Sequence, residues 1–166
     1  MTNIGTWRTM DESDLDAAVT ISDAVHGTYT EDKAVYAERL AIYPKGCFVF
    51  ERDGRIAGYL ISHPWHAGEA PAFNAPLGSL PDAASCYYLH DLALTPDARG
   101  TGAGRRGLAL IVDLARTKGF RDLWLTAVNG ADSYWSSRGF EPVEAQDSAG
   151  YGAGSLRMRM ALPTPD

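Results

Sequence analysis

The stretch from Tyr87 to Val128 narrows the choice of folds more than any other part of the chain. Tyr87 to Leu94 (YYLHDLAL) is a short aromatic and aliphatic run and reads as a strand. Pro96 to Gly104 is a turn that runs into a glycine-rich loop. Leu108, Ile111, Val112 and Ala115 then recur at i, i+3, i+4 and i+7, which is one face of a helix. Gly119 stands where a helix C′ residue belongs. Leu123 to Val128 (LWLTAV) is a second strand. Strand, helix, strand at this length implies a right-handed parallel βαβ unit.

Inside that unit lies Arg99-Gly100-Thr101-Gly102-Ala103-Gly104, followed by Arg105 and Arg106. Glycines let a backbone approach a ligand without a Cβ in the way. The first amides of the helix have no intrahelical acceptors, and the helix dipole adds positive potential there. Together these suit an anion such as a pyrophosphate. The plainer reading is a tight turn with glycines needed for packing alone; the flanking strand and the arginines favour a phosphate cradle. No Gly-Lys-Ser/Thr follows, so the loop is not a P-loop, and no G-x-G-x-x-G appears.

The flanks complete one α/β domain. Thr6 to Arg8 reads as a short strand, and Thr9 with Glu12 has capping-box spacing ahead of a helix carrying Leu15, Ala18, Val19 and Ser22. A second amphipathic stretch from Thr30 puts Tyr36, Leu40 and Tyr43 on one face and ends at Pro44 and Gly46. Cys47 to Glu51 and Arg55 to Ser62 are strands around Asp53-Gly54, a strong hairpin signal. Pro64 to Ser85 has no period, and Trp65, Phe73 and Leu77 within it favour a packed lid over free disorder. Ala131 to Ser137 is a short helix ending at Gly139, Asp147 to Gly154 is a loop, and Ser155 to Leu162 alternates as a half-buried strand with Met158 and Met160 in the core. The reading is a single domain over 1–166 with a lid-like insertion at 64–85.

Composition excludes more than it selects. At 166 residues, 45% hydrophobic and 22% charged, the chain has ordinary globular composition. A net charge of −6 argues against a nucleic-acid partner and tolerates a cationic small molecule. No apolar run approaches the roughly 20 residues of a membrane span, and MTNIGTWRTMDESDLD has no leader features, so no membrane partner and a cytoplasmic location are expected. Two cysteines, Cys47 and Cys86, fit a reducing compartment. His63-Pro64-Trp65-His66 lacks a nearby set of further ligands, so no metal is expected.

The ordered motifs resemble the GNAT N-acetyltransferase superfamily. Arg99 to Gly104 matches its Arg/Gln-x-x-Gly-x-Gly/Ala loop. LHDLALTPDARGTGAG is similar to its fourth strand, loop and third helix, and LWLTAV to its fifth strand. Ala131-x-x-x-Trp135-x-x-x-Gly139-Phe140 resembles its fourth helix ending in Gly-Phe. The resemblance implies a mixed, mostly antiparallel sheet flanked by helices and splayed at the fourth and fifth strands. It also implies acetyl transfer from acetyl-CoA to an amine. Carried over, backbone groups of Leu92, Ala93 and Leu94 pair with the pantetheine, amides of Arg99, Gly100, Thr101, Gly102, Ala103 and Gly104 hold the pyrophosphate with Arg105 beside them, and Asn129 and Trp135 flank the cofactor. Asn129 stands one position away from the family's usual asparagine.

Amine attack on a thioester needs a deprotonated amine, a stabilised oxyanion and a tolerated thiolate. An alkylamine of pKa about 10.4 is mostly protonated at neutral pH, so a base must act. Some members place an acid at the position of Asp91 to hold or deprotonate the acceptor. Asp91 is the first candidate and His90 the second, on opposite faces of the strand by alternation. A strand-end carboxylate bonded to backbone, and a buried hydrogen-bonded imidazole, are the plainer roles for these two. Where the family often has a general-acid tyrosine, four residues before the glycine of Gly-Phe, this chain has Trp135. The acid is then Tyr134 through altered register, Tyr151 from the glycine-flanked loop, or absent; one residue is a 100° turn of helix, so Tyr134 is expected to face elsewhere. Cys47 and Cys86 have no adjacent histidine and read as buried thiols. The expected acceptor is a small molecule, with a homodimer allowed. The rivals are a non-catalytic acyl-CoA-binding module and an acetyltransferase of protein lysines or N-termini.

Overall fold

The chain folds as β1 (Thr6–Thr9), α1 (Leu15–His26), α2 (Lys33–Ile42), β2 (Cys47–Arg52), β3 (Arg55–Trp65), β4 (Cys86–Leu94), α3 (Ala103–Thr117), β5 (Asp122–Ala127), α4 (Asp132–Ser137), β6 (Glu141–Pro142) and β7 (Leu156–Ala161). These elements come from a computed structural model that describes residues 4–128, 130–143 and 155–163. The strands form one sheet in the order β1-β2-β3-β4-β5-β7-β6. The β4–β5 pair is parallel and every other described pair is antiparallel. This is the mixed, mostly antiparallel sheet that the resemblance implied.

Local chemistry sets the element ends. Asp53 and Gly54 both take positive φ, 53° and 74°, as the tight β2–β3 turn requires. The cap before α1 differs from expectation: Asp11, not Thr9, closes it, because Thr9 is spent in β1 opposite Phe48. Asp14 accepts the Asp11 amide at 3.0 Å and is itself gripped by Arg8 at 2.8 and 2.9 Å.

Two apolar clusters sit on opposite faces of the sheet. Leu15, Ala18, Ile21, Tyr36 and Leu40 of α1 and α2 pack on Cys47, Val49, Tyr59 and Ile61. Leu108, Ile111 and Ala115 of α3 pack on Phe48, Leu60, Tyr87, Leu123 and Leu125, with Trp135, Phe140 and Met158 joining them. Strand alternation explains the division: neighbours in β2 and in β3 go to different clusters.

β4 breaks that alternation. Ile61 pairs with Asp91, but the next residue, Ser62, pairs with Leu89, so His90 is the extra residue of a β-bulge. Tyr87 and Leu89 belong to the α3-side cluster, whereas Ala93, which strict alternation would place with them, belongs to the α1/α2 side. A second feature of β4 is its short partnership with β5, which covers only Tyr87↔Leu123 and Tyr88↔Trp124. Beyond Tyr88 the two strands part, and the edge of β4 that faces β5 has no strand beside it.

Candidate functional site

The parted strands open a cavity of about 540 Å³. One end is formed by Leu92, Ala93 and Leu94 of β4, by Arg99, and by Val128, Ala131, Tyr134 and Trp135 across the gap. The other end is formed by His26, Tyr29 and Glu31 from the α1–α2 connection and by His90 and Asp91.

The glycine loop meets the first end at the start of α3. Gly102 is the residue before the helix and is left-handed, φ 86°, a conformation that side chains with a Cβ rarely adopt. A Cβ at Gly100 or Gly102 would meet no atom within 4 Å, so both glycines border open space. The Ala103 amide is taken by Thr101 Oγ1 at 3.3 Å. The amides of Gly104 and Arg105 have no acceptor among the described residues and lie at the positive end of α3. Arg99 and Arg105 are exposed there. Arg106 is not: its guanidinium bonds the carbonyls of Gly5 and Ile4 at 2.9 and 3.1 Å and lies over the Phe50 ring. It ties α3 to the N-terminal segment instead of adding charge to the loop.

Tyr134 and Trp135 both line the cavity, against the expectation that Tyr134 faces away. α4 has only six residues, and it presents two neighbouring side chains to the gap. Trp135 is buried against Phe140 with ring centroids 5.5 Å apart. Tyr134 is 38% exposed, and its hydroxyl lies only 2.7 Å from where a Cβ on Gly104 would stand. Glycine at 104 therefore makes room for the tyrosine. Asn129 and Tyr151 lie outside the described residues.

The bulge governs the other end. Expected on opposite faces, His90 and Asp91 both face α1 and α2, because the extra residue resets the alternation between them. Asp91 Oδ1 meets His26 Nε2 at 2.7 Å. Asp91 Oδ2 accepts the Tyr59 hydroxyl at 2.5 Å and the Tyr36 hydroxyl at 3.3 Å. Burial opposes ionisation of Asp91, yet the charge and hydrogen bond of His26, with the Tyr59 hydroxyl, hold the carboxyl below its ordinary range. Burial likewise opposes the His26 imidazolium, but the Asp91 carboxylate more than offsets it and the histidine is raised.

A second carboxylate–imidazole pair stands beside the first. His90 Nε2 meets Glu31 Oε1 at 2.6 Å, and Glu31 Oε2 accepts the Asn74 amide at 2.7 Å. Burial opposes ionisation of Glu31, but His90 and the Asn74 amide keep its carboxyl low. Behind His90, the His63 ring lies 6.0 Å away; burial pushes its pKa down to about 3, so it stays neutral. The cysteines are unpaired and buried, and burial pushes both thiols up to about 12, which removes thiolate nucleophiles at neutral pH. No group of three or more metal-ligating side chains occurs among the described residues, nor is any helix there long and apolar enough to cross a membrane.

Sequence reasoning singled out Asp91 and His90 but missed His26, Glu31, Tyr36 and Tyr59. The available signal was the polar run His26-Gly27-Thr28-Tyr29-Thr30-Glu31 between two amphipathic helices, which carries more chemistry than a plain connection needs. Tyr59 had no such signal, since it reads as an ordinary strand residue.

The comparisons with known proteins agree with this architecture. The loading GNATL domain of CurA from Lyngbya majuscula superposes with a TM-score of 0.80 at 12% identity, covering 95% of this chain and 98% of that one. The GphF GNAT-like decarboxylase in complex with isobutyryl-CoA gives 0.78 at 18% identity, covering 95% and 100%. The ribosomal-protein-S18-alanine N-acetyltransferase from Escherichia coli gives 0.70 at 18% identity, covering 98% and 96%. At such identities the likeness speaks for the fold alone. A search of curated proteins found no match. The model of the acetyltransferase (GNAT) family matches residues 11–140, which spans both ends of the cavity. The chain is a member of the GNAT acetyltransferase family.

Proposed function

We propose that this protein transfers the acetyl group of acetyl-CoA to a primary amine of a small molecule, by direct attack within a ternary complex. The observation that carries the reading is the continuity of the cavity. One space runs from Arg99, where the glycine loop begins, along the unpaired edge of β4, to two carboxylate–imidazole pairs. In this reading the free amides at the start of α3 hold the pyrophosphate, and Leu92 to Leu94 offer backbone groups to the pantetheine. A β4 amide supplies the oxyanion with a preorganised donor. The thioester carbon then lies between the β4 edge and the His26–Asp91 end, where an amine can be held.

The small-molecule assignment is supported by the segment 66–85, which starts two residues later than expected because Pro64 and Trp65 extend β3 opposite Tyr87 and Cys86. It is pinned to α2 and its approach, with the Leu77 amide on Glu38 at 2.6 Å, the Asp32 amide on the Asn74 side chain at 2.8 Å, and Arg39 on the Ala75 carbonyl at 3.2 Å. It reaches Glu31 through Asn74 and so buttresses the acceptor end. A cytoplasmic setting belongs to the same proposal and is supported by two buried, unpaired cysteines.

The test is release of free CoA from acetyl-CoA by the purified protein with a panel of primary amines, with calorimetry of CoA binding alongside. Amine-dependent release supports the reading. CoA binding without release for any amine or peptide makes the protein a binding module, and release with peptide N-termini alone makes the acceptor a protein.

A further inference from the structure

Three protein groups already occupy Asp91. Its Oδ1 is engaged by His26 and its Oδ2 by Tyr59 and Tyr36, so neither oxygen is left facing the cavity unaided. His26 is different. It is the last residue of α1, its side chain is 18% exposed and it lines the cavity. Its Nε2 is bound to Asp91, while its Nδ1 has no partner among the described residues and is not sealed from solvent. An imidazole with one nitrogen fixed by a carboxylate and the other open to a substrate space has the arrangement of an oriented base.

We propose, on the acetyltransferase reading above, that His26 takes the proton from the acceptor amine, and that Asp91 and Tyr59 are positioning residues that fix its ring. The neutral imidazole accepts one proton from the ammonium through Nδ1, leaving a free amine and an imidazolium paired with Asp91. The amine lone pair forms the C–N bond to the thioester carbon, and the C–S pair departs on the CoA sulfur. The second amine proton ends on that sulfur, and the imidazolium returns the first to solvent through the cavity mouth. The sum is an amide, CoA thiol and one released proton.

His26 meets Asp91 of β4 directly; His90 of β4 and Glu31 and Tyr29 of the α1–α2 connection line the same cavity, and Tyr36 of α2 and Tyr59 of β3 meet the far oxygen of Asp91. The two carboxylates favour the imidazolium, so transfer should rise with pH through a histidine titration lying above the ordinary value.

The experiment is the pH profile of kcat/KM for acetyl-CoA with phenethylamine, putrescine and alaninamide, for wild type, His26→Gln and Asp91→Asn. CoA affinity and the NMR titration of the His26 ring are measured alongside. A glutamine side chain at this position can still hydrogen-bond Asp91, so a merely structural histidine would tolerate the exchange. The expected result for His26→Gln is a loss of about 10²–10⁴ at pH 7 and disappearance of the acidic limb, with CoA affinity within about twofold. Asp91→Asn should move that limb to lower pH, and the NMR titration of His26 with it. The Asp91→Asn displacement can be read even if His26→Gln fails to fold. An unchanged limb in a folded His26→Gln variant overturns the assignment while the acetyltransferase reading stands. No turnover with any amine in the wild type overturns that reading and this assignment with it.

Discussion

Tyr59→Phe removes one oxygen and tests how strongly the buried carboxylate depends on its neighbours. The Tyr59 ring is fully buried and lies edge-on to Tyr36 at 5.6 Å, a packing that phenylalanine keeps. What is lost is the 2.5 Å hydrogen bond to Asp91 Oδ2, after which that oxygen retains only the Tyr36 hydroxyl at 3.3 Å. A hydrogen bond to a buried charge contributes about 1.5–3 kcal/mol, so Tyr59→Phe should lower stability by that amount at pH 7. For a chain of this size each kcal/mol is about 2–4 °C, which puts the fall in Tm between about 3 and 12 °C. The sign with pH follows from the acceptor. The bond is strongest to ionised Asp91, so the loss should shrink as pH falls below about 4, the ordinary carboxyl value, and through the lowered value of the folded carboxyl. Urea unfolding of wild type, Tyr59→Phe, Asp91→Asn and the double variant gives the coupling directly. A loss under about 0.5 kcal/mol at pH 7, or an equal loss in the Asp91→Asn background, would refute the claim that this hydroxyl supports a charged Asp91.

Gly102→Val should cost about 1–2 kcal/mol through the left-handed backbone and weaken CoA at least tenfold by calorimetry, since the side chain enters the open space beside the loop; unchanged affinity in a folded variant removes the cradle. Tyr134→Phe and Trp135→Phe should each slow acetyl transfer by less than about fivefold, because the Tyr134 hydroxyl lies against Gly104 in the first turn of α3. A loss of about 10²–10⁴ in Tyr134→Phe with CoA binding intact makes Tyr134 the general acid, and the same loss in Tyr151→Phe alone gives the role to that loop. Stability should rise with pH to a maximum near pH 6.5, because burial holds His63 neutral down to about pH 3 while an unfolded histidine takes up a proton below about 6.5. The raised His26 contributes below its ordinary value and is lost as pH rises through the folded one, while the lowered Asp91 and Glu31 contribute above about pH 4 and are lost as pH falls. Urea unfolding from pH 3 to 9 checks the shape, and His26→Gln should remove the alkaline decline.

The β4–loop–α3–β5 unit was legible because each of its parts depends on neighbours in sequence. Alternating apolar residues, glycines before a helix and a 3.6-residue period all act over one or two turns. The hairpin at Asp53-Gly54 was legible for the same reason. Even the helix cap was nearly right, displaced by two residues because Thr9 had a strand partner that only the sheet reveals. Arg106 shows the opposite case. Beside the glycine loop it reads as loop charge, and only the return of the N-terminal segment, with its carbonyls at Ile4 and Gly5, draws it away.

The acceptor end was hidden for a stronger physical reason. A bulge has no local signature in LHDLAL, yet one inserted residue changes which face every later side chain of the strand takes. Were the same residues to alternate regularly, Asp91 would follow Tyr87 and Leu89 into the α3-side core, among apolar side chains. With the bulge, Asp91 falls opposite Ile61 on the face that α1 covers, and the last residue of that helix supplies His26. The pairs are separated by 65 positions for His26 and Asp91 and by 59 for Glu31 and His90, so no short window of sequence contains either. The two consecutive residues His90 and Asp91 can each meet a partner from the same α1–α2 connection only because the strand is irregular between them. The bulge therefore adds the His90–Glu31 pair without turning Asp91 away from His26. Deleting His90 tests this, because Leu89 and Asp91 then become neighbours that alternate regularly opposite Ser62 and Ile61. Asp91 should keep its face, and the NMR titration of His26 should stay above its ordinary value, while Glu31 loses its imidazole and keeps the Asn74 amide. A folded deletion variant in which the His26 titration falls to the ordinary value would show that the two pairs stand or fall together.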